Sequence, residues 1–359
     1  MGESEARSVE PSAPPVRQPA HDDTPRNRRP GSPPSELGFW LTNWAMLLAL
    51  VAMWGSAFLL TKLAVATVPP ALVVVGRLWL AAAVLVSIVL VTGRRLPARR
   101  RHWLFAAGIA LFGNALPFSL ITWGQQFVDS GLAGILMAIM PLSTLALAHA
   151  FVPNERLNPG KVVGFGLGFI GILVLIGPAH IMEAPTAVGA QLAIVAGALS
   201  YSLASILARL RPRGEALAAA AATLFLAAVM ATPMGLVAWA ASLAVSPEGV
   251  PVPPPQAISP WISLGAVALL GLFPTALATL VYFRLIHRTG PTFLATSNYL
   301  IPVWAVGAGI VVLGESLAPS DGLALAMILG GIALAQLWSR WTGRRTRVDA
   351  ASRHTRLPR

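Results

Sequence analysis

Two basic side chains, Lys62 and Arg77, lie inside the long apolar stretches of this 359-residue chain, and no Asp or Glu lies deep in any of them. A charge within an apolar span is costly, so it faces a polar cavity or a partner. Arg77 is eight residues inside its stretch, about 12 Å along a helix. A guanidinium at that depth suits the attraction of a carboxylate or another anionic group. The alternative is a hydrogen bond to backbone carbonyls freed between spans. Lys62 is about one turn from the end of its stretch, where it either faces the same polar space or extends its ammonium to the interface. Without a deep carboxylate there is no basis for an acidic proton relay. His149, near the end of the fourth stretch, reads as a packing residue.

Polar and aromatic residues recur at similar depth: Trp54 and Ser56, Asn114, Tyr201 with Ser200, Ser202 and Ser205, Tyr282, and Asn298 with Tyr299. Aromatic faces with a few hydrogen-bonding groups suit a small amphipathic solute. Singly, each reads equally well as an interhelical hydrogen bond or an interfacial anchor. Trp103, Trp123 and Trp261 read as anchors. Pro117, Pro141, Pro274 and Pro302 fall inside apolar stretches, where proline frees a carbonyl that must be satisfied internally or line a polar cavity. They are candidate hinges or cavity walls, or kinks needed for packing.

Other chemistries lack their residues. The chain has no cysteine, hence no disulfide, thiolate metal site or cysteine nucleophile. No catalytic set and no metal site is expected, and no cofactor is implied. Gly166-x-Gly168-x-x-Gly171 matches a dinucleotide fingerprint in letters only, since it lies in an apolar stretch with no preceding strand. Gly164-x-x-x-Gly168 reads as close helix packing. Gly160-Lys161 lacks the upstream glycine of a nucleotide-binding loop.

These residues need helices to hold them. Hydrophobic residues make up 55% of the chain and charged residues 11%, against about 25% charged in a soluble domain. Apolar stretches long enough to cross a bilayer fall near 43–66, 69–92, 103–124, 129–151, 160–178, 187–208, 217–240, 261–283, 292–313 and 321–338. The other 24 Lys and Arg residues all fall in the tails and the even-numbered loops, with Lys161 counted at the junction of the fourth loop and the fifth stretch, and none in the odd-numbered loops. The positive-inside rule then places both termini in the cytoplasm. The net charge of +12 is thus directed at anionic lipid rather than nucleic acid. The expected organisation is a disordered N-terminal tail over 1–42, a first unit over 43–178, a second over 187–338 and a basic C-terminal tail over 339–359.

Ten spans divide into five and five, and an odd number per half reverses the second half. Met140-Pro141, Glu155-Arg156-Leu157-Asn158-Pro159 and Gly171 are answered by Ile301-Pro302, Glu315-Ser316-Leu317-Ala318-Pro319 and Gly331. Glutamate precedes the later glycine by 16 residues in both halves. The fold class expected is therefore all-α and integral to the membrane, with ten transmembrane helices as two inverted five-helix repeats.

Trp54-Gly55-Ser56-Ala57-Phe58 with Lys62, and Gly76-Arg77-Leu78, resemble the first two spans of EamA-type transporters of the drug/metabolite transporter superfamily. Met140-Pro141 with Glu155-Arg156-Leu157 resembles the end of that family's first repeat. Tyr282-Phe283-Arg284, Arg288-Thr289-Gly290, Ile301-Pro302-Val303 and Leu313-Gly314-Glu315-Ser316-Leu317 resemble its second. Val152-Pro153-Asn154 departs from the family's shorter turn. The resemblance covers about residues 43–338. It implies a secondary transporter of the bacterial cytoplasmic membrane, not an enzyme, exporting an amino acid or related metabolite by alternating access. Its partners would be a small-molecule substrate and the bilayer, as monomer or homodimer. The alternatives are an exporter of lipophilic or cationic drugs and, further off, an integral-membrane lipid enzyme or a sensor. Drug exporters of the small multidrug resistance type carry a membrane-embedded glutamate, where this chain has Trp54 and Ser56.

Overall fold

The computed structural model describes residues 36–97, 99–152, 159–176, 185–212, 214–244 and 258–335. Both tails, the Glu155 motif and most of the proline-rich loop before Trp261 lie outside them. Ten apolar helices run through the described residues. Eight are long enough to cross a bilayer: α1 (Glu36–Val65), α2 (Pro70–Val91), α3 (Arg100–Gly124), α4 (Ser130–Phe151), α5 (Pro159–Ile176), α6 (Pro185–Leu210), α7 (Ala216–Ala244) and α8 (Pro260–Thr289). Two are shorter, α9 (Ser297–Leu313) and α10 (Pro319–Ala335). Proline opens α2, α5, α6, α8 and α10, where its missing N–H belongs to a turn without intrahelical partners.

The apolar character of the helices extends round their circumference. Phe165, Phe169, Ile170 and Leu173 of α5 and Val311 and Val312 of α9 stand exposed. A helix that is apolar all round belongs in lipid, so this is a multi-pass membrane protein. The buried seams join the two halves. Val74, Leu78, Ala81, Ala82 and Leu85 of α2 meet Ala221, Leu224, Ala227, Ala228 and Ala231 of α7, whose alanines let the backbones approach. Helix α3 packs on α6, and the start of α4 on α9. Ser263 Oγ of α8 donates to Leu63 O of α1 at 2.7 Å. Adding five to each helix number maps 2·7 and 4·9 onto themselves and exchanges 3·6 with 8·1.

Helix α5 meets α10 through glycine. A Cβ at Gly164 would run into the carbonyl oxygen of Gly331, and one at Gly331 into that of Gly164. A Cβ at Gly166 would meet nothing. Gly164→Val is expected to destabilise the fold by about 1–3 kcal/mol. A lower unfolding temperature in detergent than that of the matched Gly166→Val variant would establish it.

Three of the departures from regular helix position the interior. Helices α3 and α8, third in their halves, each contain a π turn, Leu111–Ala115 and Leu272–Leu277. In each a polar side chain bonds the carbonyl five residues back. Asn114 Nδ2 reaches Ile109 O at 3.4 Å and Thr275 Oγ1 reaches Leu270 O at 2.7 Å. Helix α4 breaks at Ala138 and Ile139, just before Pro141. Pro302, its counterpart in the repeat motif, sits within continuous helix, so one sequence motif has two local structures.

The end of α9 is tied to the start of α4. Gly314 ends the helix at φ +68°, a left-handed conformation that glycine adopts without a Cβ clash. The chain then presents Glu315 to α4. Oε1 accepts from Ser130 N at 2.7 Å and Oε2 from Gly131 N at 2.9 Å. Two unpaired donors of the helix N-terminus are thereby satisfied by a carboxylate at the positive end of its dipole.

Candidate solute cavity

A cavity of about 510 Å³ lies between the halves, walled by residues of α1, α2, α3, α4, α6, α8 and α9. On α1 the wall is Trp54, Ala57, Phe58 and Thr61, a spacing of three and four residues that keeps one helical face inward. The two π turns contribute Gly113 and Asn114 on one side and Pro274 and Thr275 on the other. The break in α4 contributes Met137, Ala138, Met140 and Pro141.

Among the described residues that line the cavity, Arg77 is the one with a formal charge. Its Nε donates to Thr275 Oγ1 at 2.8 Å. Its guanidinium carbon lies 3.7 Å from the centre of the Phe118 ring, within the range of a cation–π contact. Phe118 in turn meets Tyr201 edge to face, with centroids 6.3 Å apart. Threonine and phenylalanine carry no charge, so these contacts orient the guanidinium without neutralising it. Trp54 and Tyr282 form a second aromatic pair, with centroids 6.0 Å apart. Asn298 and the walls at Pro141 and Pro302 complete the lining. Pro141 has no N–H to donate to Met137 O, nor Pro302 to Asn298 O, and Met137 and Asn298 both line the cavity.

Of the residues singled out from the sequence, the cavity brings together Trp54, Arg77, Asn114, Tyr201, Tyr282, Asn298, Pro141, Pro274 and Pro302. Others lie elsewhere. Ser56 accepts from Trp304 Nε1 at 2.9 Å and borders a separate apolar recess with Met53, Leu60 and Phe273. Ser205 Oγ donates back to Tyr201 O at 2.9 Å. Tyr299 packs against a core cluster built around α4, α5 and α10. Pro117 is buried just beyond the π turn of α3. Lys62 donates to Val128 O at 3.0 Å and faces Asp129 at 3.5 Å, tying α1 to the loop before α4. Lys62→Gln is therefore expected to change solute affinity less than about threefold, by titration calorimetry on the purified protein.

Sequence reasoning passed over Phe118, Thr275, Phe58, Thr61 and Thr122, all on the cavity wall. Two carried a signal. Phe118 lies one turn beyond Asn114, and Thr61 continues the face that carries Trp54 and Phe58.

The EamA-like transporter family matches this chain twice, over residues 42–177 and 188–337. The uncharacterized inner membrane transporter YedA of Escherichia coli strain K12 is 28% identical over 293 residues, covering 81% of this chain and 89% of its own. The aromatic amino acid exporter YddG of Ancylobacter novellus is 29% identical over 297 residues, covering 81% of this chain and 95% of its own. A solved crystal structure, 23% identical, superposes with a TM-score of 0.57 over 84% of this chain and 99% of its own, a likeness of fold.

Proposed function

Because this chain belongs to the EamA-like transporter family, we propose that it exports a small carboxylated metabolite, an amino acid or a related compound, across the bacterial cytoplasmic membrane. The observation that carries the reading is the Arg77 guanidinium, oriented by Thr275 and Phe118 and facing a cavity with no other formal charge among the described residues that line it. A solute carboxylate supplies the missing counter-ion, and the bidentate geometry of the pair fixes its orientation. The apolar part of the solute lies among Trp54, Phe118, Tyr201 and Tyr282. An ammonium group, where present, has the carbonyls freed by Pro141 and Pro302. The aromatic lining agrees with the name of the relative YddG.

Five spans per half would invert the second repeat with respect to the first, and a cavity between the halves supports a rocking mechanism of alternating access. The basic residues of the tails and even-numbered loops support cytoplasmic termini. Residues Trp54, Arg77, Asn114, Tyr201, Tyr282 and Asn298 are the proposed contacts.

A thermal-shift screen of the purified protein tests this, since a ligand of the folded state raises its stability by mass action. Stabilisation by L-phenylalanine and other carboxylated metabolites, absent with their amides, is the expected result. Stabilisation by lipophilic cations alone would overturn it and point to drug export.

A further inference from the structure

Resting on that reading of the cavity, we propose that the transporter is an exchanger: it carries one carboxylated solute out against a second carboxylated solute moving in, and seldom returns empty. The inference concerns the empty carrier. To change sides, it must close its cavity around Arg77. Among the described residues that line the cavity there is no Asp, Glu or His, so these residues offer Arg77 no carboxylate counter-ion and no carboxylate or imidazole to take up a proton in the solute's place. Thr275 and Phe118 contact the guanidinium through a hydroxyl and a ring. Asp129 and Glu315 do not line the cavity and are engaged at Lys62 and at the start of α4.

With a carboxylate in place, the charge that enters the closed state is an ion pair. Without one, it is an unpaired cation drawn out of water. Removing one member of a buried pair leaves the other uncompensated, and this is the expensive arrangement. The barrier to reorientation is thus lower for the loaded carrier than for the empty one. Such a carrier runs faster when solute waits on both sides. A carrier with its own aspartate or glutamate beside Arg77 would show no such difference.

Counterflow in proteoliposomes made from the full chain decides the matter. Entry of labelled L-phenylalanine is compared in vesicles preloaded with unlabelled L-phenylalanine and in vesicles holding buffer only, with the membrane potential clamped at zero. The expected result is initial entry faster by about tenfold or more in the preloaded vesicles. Equal rates would overturn exchange and leave the carboxylate reading standing. No entry into either set would overturn the functional reading itself, and the exchange with it.

Thr275→Asp adds the cause. It sets a fixed carboxylate within hydrogen-bond reach of Arg77, so the ratio of the two rates should fall toward one, measured at raised phenylalanine to offset weaker binding. Arg77→Gln, which removes the unpaired charge, should lower the ratio in the same way. Undiminished stimulation in both variants would show that Arg77 is not its source and would sink the proposal.

Discussion

Arg77→Gln is expected to raise the dissociation constant for carboxylated solutes by about 30-fold or more, corresponding to about 2 kcal/mol at the lower end of what truncating a buried charge pair costs. The amide of the same solute should bind the variant as weakly as it binds the parent. Titration calorimetry on the four combinations of protein and ligand isolates the pair. The comparison is needed because Arg77 also joins α2 to α8 through Thr275 and stacks on Phe118. A general disturbance of the cavity would weaken acid and amide alike. Loss of the carboxylate contact weakens the acid alone. Arg77→Lys should fall between the two, because it retains the charge but not the planar fork or the ring contact. Equal affinity of parent and variant for the acid would refute the anion-binding role.

Arg77 was legible because one physical rule isolates it: an ion within an apolar stretch needs a polar environment. The same rule selected Lys62, which lies near a helix end and is engaged outside the cavity with Val128 and Asp129. Depth within the span separates the two. The groups that orient Arg77 were not legible. Thr275 is 198 residues away and Phe118 belongs to another helix, so only the packing of α2 against α3 and α8 reveals them. Hydroxyls were ambiguous for a different reason. Ser205 bonds a carbonyl of its own helix, which satisfies it with no ligand, and the sequence does not distinguish this from a solute contact. Ser56 was separable, since Trp54, Ala57, Phe58 and Thr61 define the inward face of α1 and Ser56 falls off it.

The helices themselves were read to within a few residues for most spans, because length and hydropathy suffice in a bilayer. Helices α1, α7 and α8 run further than their apolar stretches. The π turns of α3 and α8 escaped, as periodicity averages over a single added residue. Pro141 and Pro302 were equivalent in sequence, yet one adjoins a break and the other does not. The missing N–H is common to both, and a break accompanies only Pro141.

Glu315 marks the limit of repeat reading. Its spacing to Pro302 and Gly331 identifies it as a landmark of the second half, but its task is visible only where its carboxylate meets Ser130 N and Gly131 N of the first. Glu315→Ala is expected to destabilise the fold by about 3 kcal/mol or more, at about 1.5–3 kcal/mol for each hydrogen bond to a charged group. Both donors belong to buried residues, so they would be left unsatisfied. Glu315→Gln keeps one acceptor and should lose about half as much. Thermal unfolding of the three proteins in one detergent orders them. The effect should also reach the cavity, since Gly134, Met137 and Ala138 of the same helix form part of its wall and Gly134 packs against Ala305 of α9. A loosened seam displaces that wall for every ligand. Glu315→Ala should therefore weaken a carboxylic acid and its amide by the same factor, whereas Arg77→Gln affects the acid alone. Selective loss of the acid in Glu315→Ala would mean that the carboxylate acts on the solute's charge rather than on the helix it caps.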